Sequence, residues 1–240
     1  MAGEDFPALS DAAGADEAAP GLLAAGGALD VNSLVRAYSA GIFPWFSLGQ
    51  PILWWSPNPR LVLLTRDFKL HRSLKKTLQR FLETPTCAVT IDSAFDQVIA
   101  ACATAPRDGQ SGTWIVPDML AAYSQLHKAG HAHSVETWVN GELVGGLYCV
   151  NLGGMVFGES MFARQTDASK IALSALVAFC KAKDISMIDC QQNTQHLSSF
   201  GAREIARESF AAHVSQQTCR ANPEWVLQTH HWNEVLPAHT

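Results

Sequence analysis

The sequence predicts an α+β protein built on a mixed sheet. The first sign is the spacing of the apolar residues, which changes from a period of 3.6 to a period of 2 after about residue 130. The second is the order of the later segments: three strand-like runs, a helix, one more strand and a last helix. Segments in this order are typical of an α+β domain with a mixed sheet.

The first half of the chain predicts helices and one aromatic loop. A helix is expected from Val31 to Ala40, with Asp30 as its N-cap and Gly41 as its terminator. Residues 42–57 are rich in Trp, Phe and Pro without any period, which indicates a rigid, aromatic-lined loop. Further helices are expected over His71–Glu83, from about Ser93, and from Pro117 to just before Gly130.

The second half predicts the sheet. Residues 134–139, 142–152 and 155–162 follow the period of strands, and Asn140-Gly141 joins the first two with a strong hairpin signal. The later elements are a helix over Ala168–Ala182 capped by Thr166 or Asp167, a strand over Ser186–Gln191, a short helix ending at Gly201, a strand near Arg203–Ala206 and a helix from Glu208. We expect a small N-terminal domain over 1–60, with its first 20 residues poorly ordered, and a second domain over 61–240.

The formal net charge of −5 hides a local basic patch. Residues 1–30 hold six acids and no Lys or Arg, whereas seven bases lie between Arg60 and Arg80 with only Asp67 opposing them. Four of these bases fall on the polar face of the helix expected over 71–83: Arg72, Lys75, Lys76 and Arg80. Such a face is either a track for a phosphate backbone or simply a solvated surface.

Several classes of protein are excluded by what the sequence lacks. The six cysteines show no CxxC and no metal-like spacing with His, so we expect no metal site. No GxGxxG, Walker or QxxGxG loop occurs, so we expect no nucleotide or coenzyme A cofactor. No signal peptide or membrane-length apolar segment is visible, and a reducing cytosol is the expected compartment.

Polar residues on two strands are candidates for an active site. Asp189 and Gln191 are two apart on one strand, so both side chains should point to the same face. The carboxylate could orient the amide, whose oxygen would accept a hydrogen bond from an attacking amine. Alternatively, Asp189 caps the following turn. Glu159 is a charge inside an apolar strand, and is either a carboxylate for an amine-bearing substrate or a sheet-edge residue facing water.

Trp45 and Trp114 are the aromatic candidates, both placed in expected loops. Indole rings on loops can stack on a nucleobase. The alternative is that both rings fill gaps in the core.

Eight separated motifs occur together in this chain. They are GIFPWF (41–46), ILWWSP (52–57), GTWI (112–115), GHAHS (130–134), LVGG (143–146), GESMF (158–162), ASK (168–170) and IDCQ (188–191). In this order they resemble the signature series of the leucyl/phenylalanyl-tRNA–protein transferase family, over about residues 21–215.

This resemblance implies a fold and a reaction. The fold would be a small N-terminal domain followed by an acetyltransferase-like (GNAT-type) domain. The reaction would move Leu or Phe, and less well Met, from aminoacyl-tRNA (Leu-tRNA, Phe-tRNA) to proteins with N-terminal Arg or Lys, creating a degradation signal. We expect a monomer in the cytoplasm.

The resemblance also implies roles for residues. Trp45 and Trp114 match residues that hold the terminal adenosine, Asp189 and Gln191 match the catalytic pair, and Glu159 matches an active-site carboxylate. Five residues match the apolar pocket for the transferred side chain: Leu147, Met161, Leu173, Leu176 and Ile188.

Three rival functions remain open at this level. An acetyl-CoA N-acetyltransferase on the same fold would need the missing pyrophosphate loop. A Fem-type transferase that builds peptidoglycan bridges normally has a larger, duplicated chain. A non-catalytic RNA-binding module would explain the basic helix but would leave Glu159, Asp189 and Gln191 without a role.

Overall fold

A computed structural model describes residues 5–105 and 115–236. The strands within these residues are β1 (Leu22–Ala25), β2 (Phe43–Pro44), β3 (Leu53–Trp55), β4 (Arg60–Leu64), β5 (Cys87–Ile91), β6 (Ala132–Val139), β7 (Glu142–Leu152), β8 (Met155–Ala163), β9 (Met187–Gln191) and β10 (Arg203–Ile205). The α-helices are α1 (Val31–Ser39), α2 (Arg72–Glu83), α3 (Phe95–Thr104), α4 (Pro117–Lys128), α5 (Ala168–Ala182), α6 (Gln195–Ser199) and α7 (Arg207–Gln217).

Seven of the strands form one mixed sheet. Their order is β10-β4-β9-β8-β7-β6-β5, and every neighbouring pair is antiparallel except β8 and β9, which are parallel. The predicted α+β class with a mixed sheet is confirmed. Asn140 and Gly141 have φ of 53° and 79°, as a two-residue hairpin turn between β6 and β7 requires, so the predicted hairpin is confirmed as well.

Helices cover both faces of this sheet. One apolar cluster joins α1, α3 and α4 to one face, and a second joins α2 and α5 to the other. The alternation along β7 shows the division, because Tyr148 and Val150 belong to the first cluster whereas Leu147 and Cys149 belong to the second. Each large apolar side chain buried in this way contributes about 1.5–3 kcal/mol.

Helix α5 is the most buried helix of the second layer. Eleven of its residues are buried, because it packs on the sheet with one side and is covered by the segment Thr229–Glu234 on the other. Its start differs from the expected cap. Asp167 stands at the N-cap with φ of 65°, but its carboxylate accepts from Lys170 Nζ at 2.7 Å and makes no hydrogen bond to the helix backbone.

The aromatic run expected as a loop contains two short strands. β2 and β1 flank β3 in a separate three-stranded sheet. The indole of Trp54 donates to the carbonyl of Gly26 at 2.8 Å, and that of Trp55 donates to the carbonyl of Trp45 at 2.6 Å. The prediction of a loop was therefore wrong in part. The sequence did not indicate these strands because segments of two and three residues are too short to show a period.

Three further strands, β1, β4 and β5, had no counterpart in the sequence prediction. The most consequential is β4, which lies inside the large sheet between β9 and β10. It begins at Arg60, which had been counted in the basic patch but is fully buried. That residue therefore does not belong to the surface patch, which is a correction to the sequence analysis.

Two features are absent from the described residues. No helix in these two ranges has the length and apolar character needed to cross a bilayer. Nor does this part of the chain contain a group of three or more His, Cys, Asp or Glu side chains placed to hold a metal ion.

Candidate active site

The candidate site lies where β8 and β9 stop pairing. These two parallel strands pair at two positions only, Val156 with Ile188 and Phe157 with Asp189. The residues that follow on each strand, 158–161 and 190–191, line a cavity of about 640 Å³. Cavities of this size are typical of sites for small molecules and cofactors.

A bulge in β8 places Glu159 at this cavity. Tyr148 of β7 pairs with Ser160 and the next residue, Cys149, pairs with Gly158, so Glu159 has no partner across the ladder. Bulges of this kind re-aim a side chain and are common next to active sites. The alternative that Glu159 is a sheet-edge residue facing water is wrong, because it is 9% exposed and lies inside the sheet.

Three side chains of the described residues hold the Glu159 carboxyl group. Tyr38 Oη lies 2.7 Å from Oε1 and Tyr123 Oη lies 3.1 Å from Oε2, both at hydrogen-bond distance. The two hydroxyls also contact each other, so their two protons are shared among three contacts. Gln191 Nε2 donates to Oε1 at 2.9 Å. Tyr38 comes from α1 and Tyr123 from α4, so two helices and β9 together fix this one carboxyl group.

The environment of Glu159 brings its pKa into the neutral range. Burial raises the pKa from 4.5 to about 7, and the nearby Asp189 adds to this rise. The hydrogen bonds from Tyr38 and Tyr123 and the charge of Arg60 oppose it. A carboxyl group with this pKa can both accept and release a proton near pH 7.

The end of β9 departs from regular strand geometry. The register between β4 and β9 shifts, since Leu61 pairs with Gln191 and Val62 with Asp189, and Gln191 adopts φ of 61°. This left-handed conformation costs a non-glycine residue about 1–2 kcal/mol. In this conformation the amide of Gln191 reaches Glu159, and both Asp189 and Gln191 line the cavity.

Asp189 is fully buried, and its hydrogen bonds among the described residues go to the backbone of Gln191 and to the side chain of Arg60. Its Oδ1 accepts from the backbone N–H of Gln191 at 2.9 Å, which is the turn-capping contact weighed as the alternative from sequence. Both carboxylate oxygens also accept from Arg60, from Nε at 2.8 Å and from Nη2 at 2.6 Å. The carboxyl group that touches the Gln191 amide is that of Glu159.

The apolar wall of the cavity contains the expected pocket residues. All five lie there, from β7, β8, α5 and β9: Leu147, Met161, Leu173, Leu176 and Ile188. Trp45 also lines the cavity, next to Phe43 and Pro44 of β2. Trp114 lies outside the described residues, so its predicted place beside Trp45 stays a prediction.

The basic helix α2 is linked to the rim of the cavity. Its Arg72, Lys76 and Arg80 are exposed and Lys75 is half-buried. Just before the helix, His71 Nε2 hydrogen-bonds to the carbonyl of Ser199 at 2.8 Å, at the end of α6. His196 and Leu197 of α6 line the cavity, so α6 lies between the cavity and the segment that leads into α2.

Comparison with known proteins decides the family. The family model described as leucyl/phenylalanyl-tRNA protein transferase matches residues 62–215, and that of the N-terminal domain of the same enzymes matches 27–58. The chain belongs to this family. Its two matches meet close to the domain boundary predicted near residue 60, although the limits 1–60 and 61–240 stay predictions.

Relatives of the same name are similar over almost the whole chain. The leucyl/phenylalanyl-tRNA–protein transferase of Polaromonas sp. is 65% identical and covers 99% of this chain and 93% of its own. The enzyme of the same name from Albidiferax ferrireducens is 60% identical, and the match covers 97% of this chain and 92% of the relative. Membership makes this chain an enzyme of the aminoacyltransferase class.

Solved structures are similar at lower levels. FemX is 9% identical with a TM-score of 0.45, covering 77% of this chain and 71% of its own. A GCN5-related N-acetyltransferase from Kribbella flavida is 12% identical with a TM-score of 0.36, and the match covers 69% of this chain and 56% of the acetyltransferase.

Sequence reasoning missed three residues of the site. Tyr38 and Tyr123 sit at apolar-face positions of their helices, where a tyrosine is expected simply to pack in the core. Arg60 opens a strand that was not predicted. A fully buried arginine needs a carboxylate partner, but the sequence alone did not indicate that Arg60 was buried.

Proposed function

We propose that this chain transfers Leu or Phe, and less well Met, from aminoacyl-tRNA to the α-amino group of proteins that begin with Arg or Lys. The observation that carries the proposal is the pairing of Glu159 with Gln191 at the wall of a largely apolar cavity. The apolar part suits the transferred side chain, and the polar part suits the attacking amine.

The reaction is the aminolysis of an ester. The neutral α-amino group attacks the ester carbonyl, the new C–N bond forms, and the C–O bond to the tRNA 3′ oxygen breaks. An α-amino group has a pKa of about 7.7–8.0, so a useful fraction is neutral without a strong base. The amine loses one proton and the leaving oxygen gains one, so the site must hold a proton in transit.

Glu159 and Gln191 are suited to these two tasks. Because Gln191 Nε2 donates to Glu159, its Oε1 is the atom of that amide able to accept a hydrogen bond from the attacking N–H. Glu159, with a pKa of about 7, takes the proton that the amine loses. Holding donor and acceptor together supplies a further part of the acceleration, which for well-oriented groups is about 7–11 kcal/mol.

The charge of the cavity favours a cationic acceptor. Among the described residues that line it, none is Lys or Arg, and Glu159 is an acid without a paired cation, whereas the charge of Asp189 is compensated by Arg60. A positively charged N-terminal residue is attracted to such a wall. The added Leu or Phe then becomes a new N-terminus that marks the acceptor for degradation.

The donor is placed by an aromatic residue and a basic helix. Trp45 stands at the cavity, where its ring can stack on the terminal adenosine, and Trp114 is proposed as the second platform. Arg72, Lys75, Lys76 and Arg80 follow the tRNA backbone. The enzyme works as a monomer in the cytoplasm, and its six cysteines are free thiols, as a reducing compartment favours.

The deciding experiment measures transfer directly. The protein is incubated with radiolabelled Leu-tRNA and a peptide that begins with Arg, and a peptide of the same sequence beginning with Ala serves as the control. Label in the Arg peptide and little in the Ala peptide supports the proposal. Absence of label from both, together with measurable binding of coenzyme A, would favour the acetyltransferase alternative instead.

A further inference from the structure

Arg60 is a fully buried arginine that contacts the active-site end of β9. It lies at the start of β4, which is antiparallel to β9, and its guanidinium spans both oxygens of Asp189. Planar arginine forks of this kind fix a carboxylate in orientation as well as in position.

Two aromatic rings hold the guanidinium from the sides. Its central carbon lies 4.7 Å from the ring centroid of Phe43 and 4.5 Å from that of Phe210. Phe43 belongs to the cavity wall and Phe210 to α7. Nη1 is buried and has no hydrogen-bond partner among the described residues, so the attraction to these rings compensates that side of the charge.

The fixed carboxylate in turn fixes Gln191. Asp189 Oδ1 accepts the backbone N–H of Gln191, which holds that residue at φ of 61°. Glutamine rarely adopts this conformation by itself. With its backbone held there, Gln191 reaches Glu159 with its amide.

We infer that Arg60 is a positioning residue for the transfer reaction, acting through Asp189 on the conformation of Gln191. This inference rests on the proposed function and deepens it. Asp189 then acts on the backbone of Gln191 and not by polarising its amide, and Arg60 determines where the carboxylate of Asp189 stands.

The test is the variant Arg60→Lys. A lysine keeps the charge but lacks the fork, so Asp189 is free to turn and release the N–H of Gln191. We expect kcat to fall by about 10–100-fold while KM for Leu-tRNA changes less than about twofold, because small misplacements of a reacting group are costly. Arg203→Lys is the matched control, since Arg203 is exposed on the neighbouring strand β10, and should leave kcat unchanged.

A double-mutant cycle separates positioning from a general structural effect. In a Gln191→Ala background, Arg60→Lys should cause little further loss, because the group that it positions is gone. The inference would be overturned if Arg60→Lys lowered kcat by the same factor in the wild-type and Gln191→Ala backgrounds. It would also be overturned if a folded Arg60→Lys protein kept the kcat of the wild type.

A second variant covers the case in which Arg60→Lys does not fold. Phe210→Leu keeps an apolar side chain but removes one ring from the guanidinium, so we expect a smaller loss of kcat that again disappears in the Gln191→Ala background. Unchanged kcat in Phe210→Leu would then overturn the inference. Absence of transfer by the wild-type protein would count against the proposed function, whereas normal transfer by both variants would count against the role of Arg60 alone.

Discussion

At the scale of single residues, the site depends on a carboxyl group that is costly to bury. Among the described residues, the hydrogen-bond partners of Glu159 are two phenols and one amide, and none is a cation. These hydrogen bonds and the nearby charge of Arg60 compensate its burial only in part, and its pKa rises to about 7. The cost is a loss of stability, and the proposed benefit is a carboxyl group that can take up a proton near pH 7.

Replacing Glu159 by Gln should make stability less dependent on pH. The folded-state pKa of about 7 lies above the usual value of 4.5, so the native state binds more protons than the unfolded state between these values. The stability contributed by this group is present below pH 4.5 and is lost as pH rises through 7. Between pH 5 and pH 8, we expect the unfolding free energy of the wild type to fall by about 2–3 kcal/mol relative to that of Glu159→Gln.

Urea denaturation of both proteins at the two pH values measures this difference. An advantage of the variant that stays constant with pH would show that Glu159 does not titrate in this range. Transfer activity of Glu159→Gln should be low at both pH values, since the glutamine cannot take a proton.

The apolar wall makes a prediction about the donor. Leu173 and Leu176 of α5 and Ile188 of β9 line the cavity, and we expect this wall to accept side chains that are unbranched at Cβ. Leu-tRNA and Phe-tRNA should react fastest, and Ile-tRNA and Val-tRNA more slowly. Apolar pockets discriminate by only about 1–3 kcal/mol per methylene, so the slow donors should still react measurably. Competing donors in one reaction give the ratio, and equal rates for Leu and Ile would contradict the pocket assignment.

At the scale of elements, the site is assembled by irregularities that interrupt regular strands. The bulge at Glu159 and the left-handed residue Gln191 lie on the two strands that stop pairing at the cavity. Helices α1 and α4 meet over the same point through Tyr38 and Tyr123. If α1 and α4 only packed in the core, the hydroxyl groups of Tyr38 and Tyr123 would not be needed.

The variants Tyr38→Phe and Tyr123→Phe test this assembly. Each hydroxyl lowers the pKa of Glu159, so its removal should raise that pKa above about 7. The rise of kcat/KM with pH should then move to higher pH, and activity at pH 7 should fall more than activity at pH 8.5. A pH profile of each variant with one peptide shows the shift directly.

The double variant supplies the control for that experiment. Its profile should be displaced further than that of either single variant, provided that thermal denaturation shows all three to be folded. A uniform loss of activity at every pH would mean that the tyrosines support packing and do not tune Glu159.

The regular elements were predictable from sequence, and the irregular ones were not. Helix α5, the hairpin of β6 and β7, and strand β9 have clear periods or turn residues, and they lie where predicted within one or two residues. Asp189 and Gln191 were expected on one face from strand alternation, and both line the cavity. The register shift between β4 and β9 and the left-handed φ of Gln191 were not predicted, because nothing local in the sequence marks them.

The partnership of Arg60 was hidden for a related reason. It joins residues 129 positions apart, and Arg60 stands in a run of basic residues that otherwise lies at the surface. Only the placement of β4 between β9 and β10 shows that this arginine is internal. Contacts between distant elements of a sheet are set by topology, which a single sequence indicates poorly.

At the scale of the whole molecule, the segment that leads into the basic helix α2 is joined to α6, and α6 lines the cavity. The segment before α2 is tied to the end of α6 by the hydrogen bond from His71 to Ser199 and by the stacked rings of Phe68 and Phe200, whose centroids are 5.8 Å apart. The amide of Lys69 adds a bond to the carbonyl of Phe200 at 2.9 Å. A tRNA bound along α2 would therefore bring its 3′ end toward the cavity.

Removing the charge of Lys75, Lys76 and Arg80 together should weaken the binding of tRNA but not the chemistry. Each phosphate contact contributes about 0.7–0.9 to the slope of log K against log salt, so the triple Ala variant should flatten that slope by about 2. KM for Leu-tRNA should rise, whereas turnover of aminoacyl-adenosine, which has no distal phosphates, should stay the same. Lys128→Ala, on α4 across the sheet, is the control and should alter neither donor. If the triple variant slows both donors alike, then α2 supports the fold of the cavity rim and does not bind tRNA.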